Sequence, residues 1–144
     1  MRTWLKIILS LFIVGLIAVI LVYFFVYDKS HPDFEKMKPD YTLTASDLYN
    51  SFITNKTESE KKYNGKVLSV SGTLAKVEST DSMVIAVFVF NQGMFGDEGI
   101  RCTMLPKFSE EAKKLLPDDV YNIKGYCTGF NDTDVILEQC SIIK

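Results

Sequence analysis

One histidine, three cysteines, four prolines and one tryptophan are few for 144 residues, and each scarcity closes a route. The lone imidazole, His31, falls in a proline-containing stretch and reads as a solvated linker residue. Histidine-based triads and dyads are thereby excluded. No Cys-x-x-Cys occurs, so a thioredoxin-like redox centre is absent. The glycines of Asn91 to Gly99 match neither Gly-Lys-Ser/Thr nor Gly-x-Gly-x-x-Gly and make no phosphate cradle. Asp132, Asp134 and Glu138 lack the spacing of a twelve-residue calcium loop and read as a solvated hairpin turn. The sequence therefore points away from an enzyme, and it implies no cofactor and no metal.

Excess positive charge is also missing. The formal net charge is −2. Setting aside Arg2 and Lys6 leaves fourteen basic residues against eighteen acidic ones, a balance of −4 for the rest. Phosphate neutralisation supplies most of the affinity of nucleic-acid binders, so an acidic body disfavours them. What is present is a long apolar run, Leu5 to Tyr27, interrupted by Ser10 and Gly15. At about 1.5 Å per residue it covers roughly 34 Å as a helix, enough for a bilayer core. A cleavable signal peptide would be shorter and end at small residues, whereas Ile20 to Tyr27 offers none. Arg2, Lys6 and the terminal amine on the leading side predict a cytoplasmic N-terminus and a C-terminal body across the membrane. The expected organisation is a signal anchor over 1–27, a tether over 28–43 with two of the prolines, and one domain over 44–144.

Within that domain, Thr44 is a good N-cap for a helix. Leu48, Phe52, Asn55, Ser59 and Tyr63 fall on one side of it, and Gly65 stops it. Past Gly65 the period changes to that of strands. Lys66–Val77 alternates around Gly72, Met83–Phe90 is apolar almost throughout, and a short strand follows at Ile100–Leu105. Ser109 caps a short helix, Glu110–Leu116, before Pro117. Val120–Phe130 and Val135–Ile143 then flank the turn Asn131–Asp134. Five strands with a helix between the third and fourth predict a mainly β domain, a closed five-stranded OB-fold barrel behind an amphipathic helix. A β-sandwich would need about seven strands.

Several spaced residues carry a resemblance. Ala45-x-x-Leu48, Phe52-x-x-Asn55, Tyr63-x-Gly65-Lys66, Val70-x-Gly72, Gly125-x-Cys127-x-Gly129-Phe130 and Leu137-x-x-Cys140 resemble a bacterial family of exported OB-fold proteins. That family is filed as tRNA-anticodon-binding-like, and many members are described as lipoproteins. The resemblance covers about Ala45 to Ile143. This chain departs in lacking the lipoprotein cysteine at the end of its apolar run, in Ser59 where alanine is frequent, and in Asp118-Asp119 where Gly-Asp is usual. The resemblance implies an OB-fold and, by fold analogy, nucleic-acid binding.

Three thiols in an exported domain predict one disulfide. A hairpin about Asn131–Asp134 sets Cys127 nearly opposite Cys140, so those two are the expected pair and Cys102 the free core thiol; three reduced core cysteines are the alternative. For ligand binding, the second and third strands of an OB-fold direct attention to Phe88, Phe90, Phe95 and Arg101, an aromatic platform beside a cation. The bland alternative packs Phe88 and Phe90 beneath the N-terminal helix. Two functions follow. One is a membrane-tethered extracytoplasmic module that binds a protein, peptide or envelope component. The other is a single-stranded nucleic-acid-binding OB-fold protein.

Overall fold

The computed structural model describes residues 2–27 and 33–144 and divides into two compact units, Met1–Asp33 and Phe34–Lys144. His31 lies outside the described residues. The first unit holds helix α1 (Arg2–Tyr27). It is apolar all round, and its segment Arg2–Val26, with a mean hydropathy of 3.1, is the one described helix long and apolar enough to cross a membrane. That length and composition are those a membrane span requires.

In the second unit the elements are β1 (Tyr41–Thr44), α2 (Ala45–Thr54), α3 (Lys56–Tyr63), β2 (Val67–Thr73), β3 (Lys76–Ser79), β4 (Val84–Gly93), β5 (Gly96–Met104), α4 (Ser109–Ala112), β6 (Val120–Phe130) and β7 (Asp134–Ile143). The closed five-stranded barrel is corrected. Among the described residues, seven strands form one open sheet in the order β1-β2-β6-β7-β5-β4-β3, and the two short strands β1 and β3 are its edges. Two local events produce the difference. The expected strand Lys66–Val77 breaks at Leu74 and Ala75, whose amides donate to Asp119 O and Val87 O, both at 2.9 Å. Its halves then pair separately, β2 antiparallel with β6 and β3 antiparallel with β4. In addition, Tyr41–Thr44 adds a parallel strand beside β2. Asp40 fixes that start, its amide donating to Val67 O at 2.7 Å and its Oδ2 accepting from Val67 N at 2.9 Å.

The helix count is corrected as well. The described residues hold four α-helices, and the expected helix after Thr44 is two. At Asn55 (φ −149°, ψ 85°) α2 ends and α3 begins. Its amide donates to Ser51 O, its Oδ1 accepts from Glu58 N at 3.3 Å, and its Nδ2 donates to Glu58 Oε2 at 3.0 Å. One residue thus closes one helix and caps the next. Ser59 Oγ ties the pair together by donating to Ser51 O at 2.7 Å.

The core lies between this helix pair and the sheet: Leu48, Phe52 and Tyr63 meet Leu68, Val70, Phe88, Ile100, Ile123 and Leu137. Gly72 permits the close approach, since a Cβ there would come within 2.8 Å of Ala45 Cβ and 3.3 Å of Phe88 Cδ1. Residues 34–40 lie against the same body. Phe34 stacks on Tyr126 with ring centroids 4.5 Å apart, and Lys124 Nζ donates to Met37 O at 2.9 Å.

Candidate functional site

The β4–β5 hairpin presents the expected ligand residues, and it separates them. Alternation along β4 turns Ala86 and Phe88 into the core, where Phe88 is fully buried, so Phe88 is removed from any exposed platform. A bulge between Val89 and Asn91 then lifts Phe90 outward to 39 % exposure. Phe90 stacks on Tyr49 of α2, centroids 5.4 Å apart and planes at 23°. The Tyr49 hydroxyl donates to Glu98 Oε2 at 3.3 Å, and the same oxygen accepts from Asn91 Nδ2 at 2.8 Å. Burial first, then the Glu98 carboxylate, raises the Tyr49 hydroxyl above its ordinary value, so the ring stays neutral. Phe95, at the hairpin tip, is 95 % exposed, and Met94 beside it 96 %. Phe90 also lines a cleft of ≈ 570 Å³ with Thr44, Ser71, Gly72, Leu74 and Val120.

Arg101 points elsewhere. Its Nη1 pairs with Glu78 Oε2 at 2.7 Å, and its Nε pairs with Asp134 Oδ2 at 3.2 Å. Lys76 extends the group, with Nζ 2.9 Å from Asp97 Oδ2 and 3.1 Å from Glu78 Oε1. Two cations face three carboxylates, so this face carries no spare positive charge. The Arg101 hydrogen bond is the main cause holding Glu78 below the usual carboxylate range, opposed by burial and aided by Lys76. Asp134 is nearly buried, and its other oxygen accepts from the Gly99 amide at 3.0 Å. Arg101 therefore holds β3, β5 and β7 together.

The cysteines also depart from expectation. Cys102, Cys127 and Cys140 are three buried free thiols. Cys127 lies opposite Leu137, not Cys140, because bulges slip the β6–β7 register between Lys124 and Tyr126 and between Cys127 and Gly129. A simple hairpin count ignores those extra residues. Cys127 Sγ instead lies 3.8 Å from Asn64 Oδ1, and burial pushes its thiol up to about 11. Cys140 lies opposite Met104 of β5, with its sulfur over Gly125 of β6. No cluster of three or more metal-ligating side chains occurs among the described residues.

Sequence reading missed Tyr49, Glu78 and Asp134. Tyr49 offered a signal, one residue from Leu48 and three from Phe52 on the same helix. Asp134 gave none, because a turn aspartate looks solvated until its partner strands are known.

Comparison with known proteins adds the fold and the family. A solved structure of a Klebsiella pneumoniae subsp. pneumoniae MGH 78578 protein, proposed to be a nucleic acid-binding lipoprotein, is similar at 17 % identity and a TM-score of 0.55, covering 81 % of this chain and 100 % of that one. The aspartyl-tRNA synthetase of Entamoeba histolytica aligns at 13 % identity and a TM-score of 0.47, over 81 % of this chain and 23 % of its own. Comparison with curated proteins gave no match. The profile described as tRNA_anti-like matches residues 1–142. That family is one of OB-fold binding domains rather than enzymes, and this chain belongs to it.

Proposed function

We propose that this chain is a membrane-anchored OB-fold module that binds single-stranded nucleic acid by stacking. The observation that carries the reading is the Phe90–Tyr49 stack, half open at the rim of a cleft, with Phe95 fully exposed on the same hairpin. The family description and the function proposed for the Klebsiella protein support the ligand class. Each base stacked on an aromatic ring contributes about 1–3 kcal/mol and needs no particular sequence. The nearby cations are committed to carboxylates, so counterion release contributes little and binding depends weakly on salt. Fluorescence anisotropy with a labelled oligothymidylate tests this. Phe90→Ala and Phe95→Ala should each weaken binding several-fold in a correctly folded domain. Absence of binding, or binding indifferent to both changes, would overturn the ligand class.

The anchor belongs to the same proposal. In this reading helix α1 is retained in the membrane and residues 28–144 lie outside the cytoplasm, supported by the apolar span and by the basic residues on its leading side. Protease treatment of spheroplasts should digest that region. Its full protection, or a mature N-terminus after Tyr27, would contradict the topology.

A second reading, recognition of a protein or peptide, is favoured by one feature. Met94 and Phe95 form an apolar tip on a hairpin whose neighbouring charges are already paired. Crosslinking from a photoreactive residue at position 94 in native membranes separates the two: a discrete protein adduct without oligonucleotide binding supports the second.

A further inference from the structure

Between Ile85 and Gly93, every residue of β4 except Phe90 has a partner on β5; Val89 faces Gly99, Asn91 faces Glu98, and the register passes over the position between them. The strand ladder therefore does not set the direction of the Phe90 ring, which depends on side-chain contacts instead. Tyr49 supplies one of them. Anchored in α2 and only 4 % exposed, it stacks on Phe90 with centroids 5.4 Å apart. Glu98 then grips both neighbours of Phe90 through a single atom. Its Oε2 accepts from the Tyr49 hydroxyl at 3.3 Å and from Asn91 Nδ2 at 2.8 Å. One carboxylate of β5 thus ties helix α2 to the bulged part of β4. It reaches that place by lying over Gly93, where a Cβ would overlap its Oε1. Among the described residues no lysine or arginine pairs with Glu98, unlike Glu78, Asp97 and Asp134. A carboxylate kept for charge pairing would face a cation; this one faces two neutral donors that flank the platform.

We propose that Glu98 is a positioning residue of the stacking platform: it holds the Tyr49 ring behind Phe90 and so leaves the outer face of Phe90 ready for one base. The ligand in this statement rests on the stacking reading proposed above, whereas the orientation of the two rings is a property of the free protein. Hydrogen bonds to an ionised acceptor are roughly twice as strong as neutral ones, so a carboxylate holds the phenol more firmly than an amide would. Both bonds nevertheless end on one oxygen, and an amide oxygen also accepts two. Glutamine can therefore reproduce the geometry. Alanine releases Tyr49 and Asn91 together and leaves the nearly buried phenol without its acceptor. Ordering the two rings is then added to the cost of binding.

Nuclear magnetic resonance of the full chain in detergent micelles, with isotope-labelled phenylalanine and tyrosine rings, tests the geometry without a ligand. Stacked rings shift one another's resonances, so Glu98→Ala should move the Phe90 signals and Glu98→Gln should keep them near the parent's. Gly93→Ala, which pushes the carboxylate aside without removing its charge, should act as Glu98→Ala does. Anisotropy with labelled oligothymidylate then reads the consequence. Glu98→Ala should bind roughly three- to tenfold more weakly, and Glu98→Gln within about twofold of the parent. Tyr49→Phe removes only the hydroxyl. Adding Glu98→Ala to it should therefore cost less than Glu98→Ala costs alone, the non-additivity of residues that act through each other. Phe90 signals unmoved by Glu98→Ala, a glutamine variant as weak as the alanine one, or fully additive losses would overturn the positioning role. Ring signals that behave as expected in a parent protein that binds no oligothymidylate would leave the positioning standing and overturn the ligand class.

Discussion

Gly99 leaves no room for a side chain: a Cβ there would overlap the Phe88 carbonyl oxygen on the paired strand. Backbone cannot yield as a flexible side chain can, so Gly99→Ala should cost about 3 kcal/mol, the upper part of the overpacking range, read as a lowered thermal midpoint. Gly125→Ala differs because its principal obstacle is a side-chain sulfur. Combining it with Cys140→Ala should recover part of the loss, a non-additivity expected only of residues in contact. Glu78 gives a prediction in pH. Its carboxyl is held below its ordinary 4.5, so the stability it contributes is complete above that value and drains away as pH falls through the folded value. Melting points measured from roughly pH 6 to pH 3 should fall less steeply in Glu78→Gln than in the parent. At this scale the sequence disclosed which residues were apolar but not which were exposed. Phe88 and Phe90 have the same chemistry and alternate positions, and a bulge at Val89/Asn91 decides their different fates.

Among the elements, Asn55 shows both what could be read and what was overlooked. The stripe Leu48, Phe52, Ser59, Tyr63 is buried, as a continuous helix would bury it. Asn55-x-x-Glu58 is nevertheless a capping-box spacing, and it marks a new helix start that the unbroken stripe concealed. Asn55→Ala should destabilise the domain by about 1–2 kcal/mol in chemical denaturation, and Asn55→Asp by much less, since an aspartate also caps. The broken strand left a fainter trace. Leu74 and Val77 are three residues apart where alternation demands an even number, a slip of phase at the place where β2 yields to β3. Tyr41–Thr44 carried no such mark. A four-residue strand next to prolines is specified by the edge it joins, and that edge belongs to residues 67–73.

Over the whole second unit, the organising fact is the order β1-β2-β6-β7-β5-β4-β3, in which the last strand in sequence occupies the middle. Only pairing through β7 connects β6 with β5, so a chain cut after Asn131 should lack cooperative unfolding and show a collapsed strand signal in far-ultraviolet circular dichroism. A native-like spectrum from that fragment would contradict the topology. Long sequence separations between paired strands also make this a slow fold compared with a helical domain of similar length. The order carries a consequence for biosynthesis. A ribosome or a translocation pore that withholds the ten residues of β7 withholds the union of both halves of the sheet. While residues 134–143 are held back, the β2–β6 half and the β3–β4–β5 half have no strand to join them, and the sheet closes its ranks only once that last segment is free.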